Sequence, residues 1–143
     1  MNQPDQPKYG DHDASFRAAG GELGVRAMVD AFYDLMSSDV RFARIYEMHP
    51  DDKMLSRDKL ASFLCGWLGG PKRYHEKYGS INIPRAHQHL PIAEAERNMW
   101  LDCMAEAVAA QPFADEFKQY LLEQLGLPAE AVRRRCSSQS AAE

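Results

Sequence analysis

The chain has 143 residues, with 17 Lys+Arg against 21 Asp+Glu, a net charge of −4 and 45% hydrophobic residues. That suits one globular domain with a single core, and the acidic balance argues against a nucleic-acid module, which needs a dense basic face. Three scattered cysteines (Cys65, Cys103, Cys136) without a CxxC pair argue against a disulfide framework or a zinc cage, and reduced cytoplasmic thiols fit best.

Residues 1–13 are polar and proline-containing, with no basic start and no apolar run, so a loose arm is expected rather than a signal peptide. No stretch reaches the ~18 apolar residues of a membrane helix. Helical patterning begins at Ser15 and breaks at Gly20-Gly21. A helix is then predicted over 22–36, its apolar face formed by Val25, Met28, Val29, Phe32, Leu35 and Met36. Ser37-Ser38-Asp39 ends it, and His49-Pro50-Asp51-Asp52 reads as a turn opening another helix. There Leu60, Phe63, Leu64, Trp67 and Leu68 share a face until Gly69-Gly70-Pro71 stops the run.

Residues 72–91, KRYHEKYGSINIPRAHQHLP, have weak periodicity. An irregular stretch of about 20 residues inside a compact domain is often functional. A long helix follows with Ile92, Ala95, Met99, Trp100, Cys103, Met104, Ala107 and Val108 on one face, closed by Gln111-Pro112. The last strong helix is expected over 113–125, with Phe113, Phe117, Leu121 and Leu125 inward and Gly126-Leu127-Pro128 as its break. A helical turn before Arg133-Arg134-Arg135 and a disordered tail over 133–143 complete the chain. With no repeat and no alternating strand, the fold class is all-α.

Few residues carry chemistry. His87-Gln88-His89 would point both imidazoles to one side if extended and about 200° apart if helical, and the flanking Pro84 and Pro91 leave both geometries open. No Asp, Glu or third His completes a conventional metal triad, so the competing reading is a pair of surface histidines. One His in a helical pocket lined by aromatics has another use, as the single axial ligand of a haem iron. The aromatics Phe32, Tyr33, Tyr46, Phe63, Trp67, Tyr74 and Trp100 have the spacing of plain core. Their hydroxyl and indole donors nevertheless need an acceptor once buried, and a bound diatomic ligand would be one. GxSxG, GxxxxGK[ST], HExxH and GxGxxG are all absent. Cys65 and Cys103 read as inert packing, and the arginine run as solvated charge.

The stretches AAGGELGVRAMVDAFYDLM at 18–36, FLCGWLGGPKRYHEKYGSINIPRAHQHLPI at 63–92 and ERNMWLDCM at 96–104 carry an ordered set of motifs: GG, FY, LGGP-x₂-Y, AH-x₂-LPI and WL-x-CM. Together they resemble the truncated haemoglobins, in particular the second group, over about residues 14–130. The resemblance implies a two-on-two helical globin over 14–132 around haem b, with the proximal helix reduced to a long loop and a short turn. His87 matches the proximal iron ligand, thirteen residues before Trp100 and eighteen after Gly69, with His89 as its rival. Tyr33 matches the distal tyrosine, Tyr46 the aromatic at the following helix junction, and Trp100 the tryptophan distinctive of the group. Phe32, Leu60, Phe63, Leu64, Tyr74, Ile92 and Met104 fall at pocket positions, Ser56 at a gating position, and Lys59 where it reaches a haem propionate. Leu90 stands where the family usually has an aromatic.

The function implied is reversible binding of O₂ and other small ligands (CO, NO or peroxide), with distal hydrogen bonds favouring retention or redox chemistry over bulk transport. The rival from the enzyme class is a haem peroxidase or nitric-oxide oxidase served by a reductase. A third reading is a haem-free helical interaction module. No nucleic-acid or membrane partner is expected, and His49 and Tyr33 are internal candidates for ligating ferric iron.

Overall fold

The computed structural model describes the backbone of residues 8–142 and the side chains of residues 8–137. Among these are eight α-helices: α1 Ala14–Ala18, α2 Gly21–Ser38, α3 Ala43–Glu47, α4 Lys53–Trp67, α5 Arg73–Tyr78, α6 Ile83–His87, α7 Glu94–Ala109 and α8 Asp115–Ala142. A 3-10 turn, Val40–Phe42, links α2 to α3. The expected arm lies outside the described residues as far as residue 7. None of the described helices is long and apolar enough to cross a membrane.

Four long helices make the frame: α2 packs on α4, α7 on α8, and α2 joins the two pairs through α7. The α2 seam is the predicted one, with Val25, Met28, Val29, Phe32 and Met36 buried, joined by Tyr33. Close approach explains the glycines at the helix junctions. A Cβ on Gly24 would lie 1.8 Å from the Ala19 carbonyl oxygen, so only glycine lets α1 meet α2. Gly69, at φ +93°, would set a Cβ 1.9 Å from the His12 carbonyl oxygen, and this closes the end of α4 on the start of the domain.

Local chemistry sets the helix starts. The Asp52 carboxylate caps α4 by accepting from the Leu55 N–H at 3.0 Å, as the Pro-Asp-Asp signal predicts. Glu96 reaches back to the Ala93 N–H at 2.9 Å and receives Arg44 Nε at 2.8 Å, tying α3 to the first turn of α7.

Three expectations change. The 72–91 stretch contains two short helices, α5 and α6. Hydrogen bonds hold them, with Asp58 on α4 accepting from Tyr78 and Lys77, and the Asn82 side chain capping α6 through the Arg85 N–H. Five or six residues are too few for a 3.6-residue period to show. The second difference is at Gly126-Leu127-Pro128, where α8 passes straight through. Pro128 cannot donate to the Gln124 carbonyl, a loss worth about 3 kcal/mol in a helix interior. The buried seam nevertheless runs on from Phe117, Leu121 and Leu125 to Val132 and Cys136, and burying such side chains returns roughly 1.5–3 kcal/mol each. Glu130 adds ion pairs to Arg97, Arg133 and Arg134. The helix therefore also occupies the expected disordered tail as far as Ala142, while Glu143 lies outside the described residues. Finally, Ala95 is exposed on α7 instead of facing inward.

Candidate functional site

The α4 helix presents two apolar faces where the sequence shows one. Ala61, Leu64, Cys65 and Leu68 are buried in the core, whereas Leu60, Phe63 and Trp67 are half-buried and turned off the core seam. Met99 and Trp100 on α7 and Tyr46 on α3 are half-buried in the same way. Apolar side chains packed on a core yet left partly open are what a large apolar ligand requires.

On α2, Phe32 and Tyr33 bring the cluster together. The Phe32 ring meets Trp100 edge-on at 5.2 Å and Tyr33 at 5.3 Å. Tyr33 in turn meets the His49 imidazole at 5.2 Å, nearly perpendicular. Arg57, bridging Asp30 and Asp34 on α2, stands 5.7 Å from the centre of the Tyr33 ring. Its Nε is a buried atom without a hydrogen-bond partner. Burial pushes the Tyr33 phenol well above its ordinary range, only partly opposed by the Arg57 charge, so Tyr33 remains a donor at every physiological pH. Neither the Tyr33 hydroxyl nor the Trp100 indole N–H has a partner among the described residues, and neither is sealed from solvent. Two aromatic donors without a protein acceptor, one on a buried ring and one on a half-buried ring, are free to donate to a ligand.

His87 ends α6, half-buried, with Nδ1 2.7 Å from the Ile83 carbonyl oxygen. A carbonyl only accepts, so Nδ1 carries the proton and Nε2 keeps its lone pair for a metal. His49 repeats this arrangement, with Nδ1 2.8 Å from the Ile45 oxygen. Burial lowers the His49 pKa, and Lys53 and His87 lower it further against the rise from the Ile45 bond, so the ring is neutral near pH 7.

No group of three His, Cys, Asp or Glu side chains among the described residues could hold a bare metal ion. A metal here must bring most of its ligands with it. Two histidines with oriented rings, apolar half-open walls and the unpartnered Tyr33 and Trp100 donors fit a haem, whose macrocycle supplies four nitrogen ligands and a broad apolar face.

The other expected residues sit as follows. Leu64 and Met104 are wholly enclosed in the core, and Leu90, Ile92 and Ser56 are half-buried. Phe63 and Tyr74 pack edge to face at 6.4 Å. Lys59 is exposed, its ammonium 5.4 Å over the Tyr78 ring. Tyr46 lies under the Lys53 ammonium at 4.7 Å, and it is His49, three residues on, that touches Tyr33. His89 is exposed. Sequence reasoning gave His49 only as an internal iron ligand and overlooked Arg57 and Cys136. The signal for His49 was the His-Pro-Asp-Asp run, which reads first as a turn.

A family model described as bacterial-like globin matches residues 14–133. The chain is 31% identical over 117 residues to the group 2 truncated hemoglobin YjbI of Bacillus subtilis, covering 82% of this chain and 86% of that protein. Among solved structures it is similar to the group II 2-on-2 hemoglobin of Agrobacterium tumefaciens, with TM-score 0.78, 33% identity and coverage of 83% and 92% of the two chains. It also resembles the truncated oxygen-avid haemoglobin of Bacillus subtilis, with TM-score 0.73, 29% identity and coverage of 82% and 97%.

Proposed function

Because the chain belongs to the bacterial-like globin family, as a truncated haemoglobin of the second group, we propose that it binds O₂ and other small diatomic ligands reversibly, with His87 holding the haem on the proximal side. Haem is the family's cofactor and this chain's. When bound it would supply an iron able to take a diatomic ligand, and so an electron-rich acceptor for nearby donors. The observation that carries the reading is the pair of unpartnered donors, the Tyr33 hydroxyl and the Trp100 N–H, gathered around Phe32.

His87 donates Nδ1–H to Ile83 and so presents Nε2 in a fixed orientation. Tyr33 and Trp100 would donate to a bound ligand, and neutral His49 would offer a further polar edge beside Tyr33. Arg57, held by Asp30 and Asp34, supports the Tyr33 ring from α4. Hydrogen bonds to a charged acceptor contribute ~1.5–3 kcal/mol each, which slows ligand release by roughly ten- to hundredfold per donor. Such retention is in keeping with the oxygen-avid character named for the Bacillus subtilis relative.

Absorption spectra of the purified protein in ferric, ferrous and carbonmonoxy forms, followed by stopped-flow O₂ release and peroxide turnover, test the reading. The expected result is a Soret band that responds to CO, slow O₂ release and negligible peroxide turnover. Rapid turnover would move the assignment to the haem oxidase alternative, and a protein without a Soret band would overturn haem binding altogether.

A further inference from the structure

The histidine proposed as the proximal ligand sits on one of the shortest helices of the fold. α6 has five residues and none of them is buried, yet it packs against α8 and is bonded to Arg135 and Cys136, within the 133–143 stretch where the sequence predicts a disordered tail. There the Cys136 thiol, only 2% exposed, donates to the backbone carbonyl of His87 itself at a sulfur–oxygen distance of 3.2 Å. The Leu90 N–H donates to the same His87 carbonyl at 3.0 Å. One residue earlier, Arg135 Nε donates to the Gln88 side-chain oxygen at 2.7 Å. A carbonyl oxygen only accepts, so the sulfur is the donor in this contact.

We propose that Cys136 is a positioning residue for the proximal ligand: with Arg135 it ties the His87–Gln88 turn to α8, so the C-terminal helix sets how tightly and in what orientation His87 holds the haem. The Ile83 carbonyl fixes the ring from within α6, and Cys136 fixes the backbone that carries the ring. Groups one step removed from a metal ligand typically change metal affinity by 10–100-fold when lost. The proposal rests on His87 being the haem ligand, as argued above.

The test uses the full-length haem-loaded protein with Cys136→Ala, Cys136→Ser and Arg135→Met. Cys65→Ala is the control, a thiol equally buried in the core on α4. Two properties are read: the iron–histidine stretching band of the ferrous form by resonance Raman, and the rate of haem transfer to an apoglobin acceptor. Cys136→Ala should shift the band and speed haem loss about tenfold. Cys136→Ser, which retains a donor, should restore much of both, and Arg135→Met should shift both less and in the same direction. Cys65→Ala should lower thermal stability while leaving the band in place. An unmoved band in Cys136→Ala, or an equal shift in Cys65→Ala, would overturn the proposal. If Cys136→Ala fails to fold, an unmoved band and an unchanged rate of haem loss in Arg135→Met do the same. Wild-type protein that takes up no haem would instead overturn the reading beneath it.

Discussion

The two sides of the proposed haem site are built by opposite means. The distal residues Phe32 and Tyr33 lie mid-way along α2, an 18-residue helix, and Trp100 along α7, a 16-residue one; Phe32 and Tyr33 are buried and all three are fixed by ring packing. The proximal His87 ends a five-residue helix without a buried side chain, and hydrogen bonds hold it: the Asn82 cap, the Ile83 carbonyl and the Cys136 thiol. Burial distributes rigidity over many contacts, each worth little. A few hydrogen bonds concentrate it, so a single loss is felt. The distal side should therefore tolerate substitution in graded steps, and the proximal side should fail at one residue.

The largest effect tests that contrast outright. His87→Ala should abolish haem uptake, seen as loss of the Soret band on reconstitution, whereas His49→Ala and His89→Ala should retain it; haem-free His49→Ala with normal His87→Ala would invert the assignment. Next come the distal donors. Trp100→Phe and Tyr33→Phe should each accelerate O₂ release by roughly ten- to hundredfold, the equivalent of one charge-assisted hydrogen bond, while haem affinity stays close to wild type. An unchanged release rate in either variant would remove that residue from the ligand's surroundings.

A smaller effect concerns the frame that carries the distal wall. Asp58 on α4 accepts from Tyr78, Lys77 and Arg26, which hold its carboxyl down at about 2 against an ordinary 3.8. A depressed carboxyl contributes stability that is present above the ordinary value and lost as the pH falls through the folded one. Asp58→Asn should thus cost about 1 kcal/mol at neutral pH, a figure reduced for its partial exposure. It should also flatten the decline of stability between pH 4 and 2, with haem loss unaffected. Smallest is the pH response of His49, whose lowered pKa makes its neutral form part of the folded state. Stability should be full above about 6.5, its ordinary value, and decline as the pH drops below that. His49→Gln should remove this component of a thermal-melt series.

Much of this architecture is legible in the sequence where elements are long enough to show a period. The α2 seam, the α4 start at Pro50-Asp51-Asp52 and the Gly69-Gly70-Pro71 stop all follow from spacing, capping and backbone conformation. The proximal half is harder to read, because α5 and α6 are set by partners distant in sequence: Asp58 for Tyr78, and Cys136 for the His87 carbonyl. The expected break at Pro128 weighed a local cost without the burial of Val132 and Cys136 that outweighs it. On α4, the period groups Leu60, Phe63 and Trp67 with Leu64 and Leu68, since adjacent faces of one helix look alike until the space each faces is known. The His-x-His pair stayed ambiguous for a related reason. Only the short helix ending at His87 separates the two rings, leaving His89 exposed.

The central claim is that His87 alone joins the protein to the haem iron from the proximal side. Resonance Raman of ferrous His87→Gly, with and without added imidazole, tests it most directly. The account predicts that the iron–histidine band of the wild type vanishes in the variant, and that free imidazole entering the cavity restores haem binding with a band of its own. A wild-type iron–histidine band persisting in His87→Gly without imidazole would contradict it.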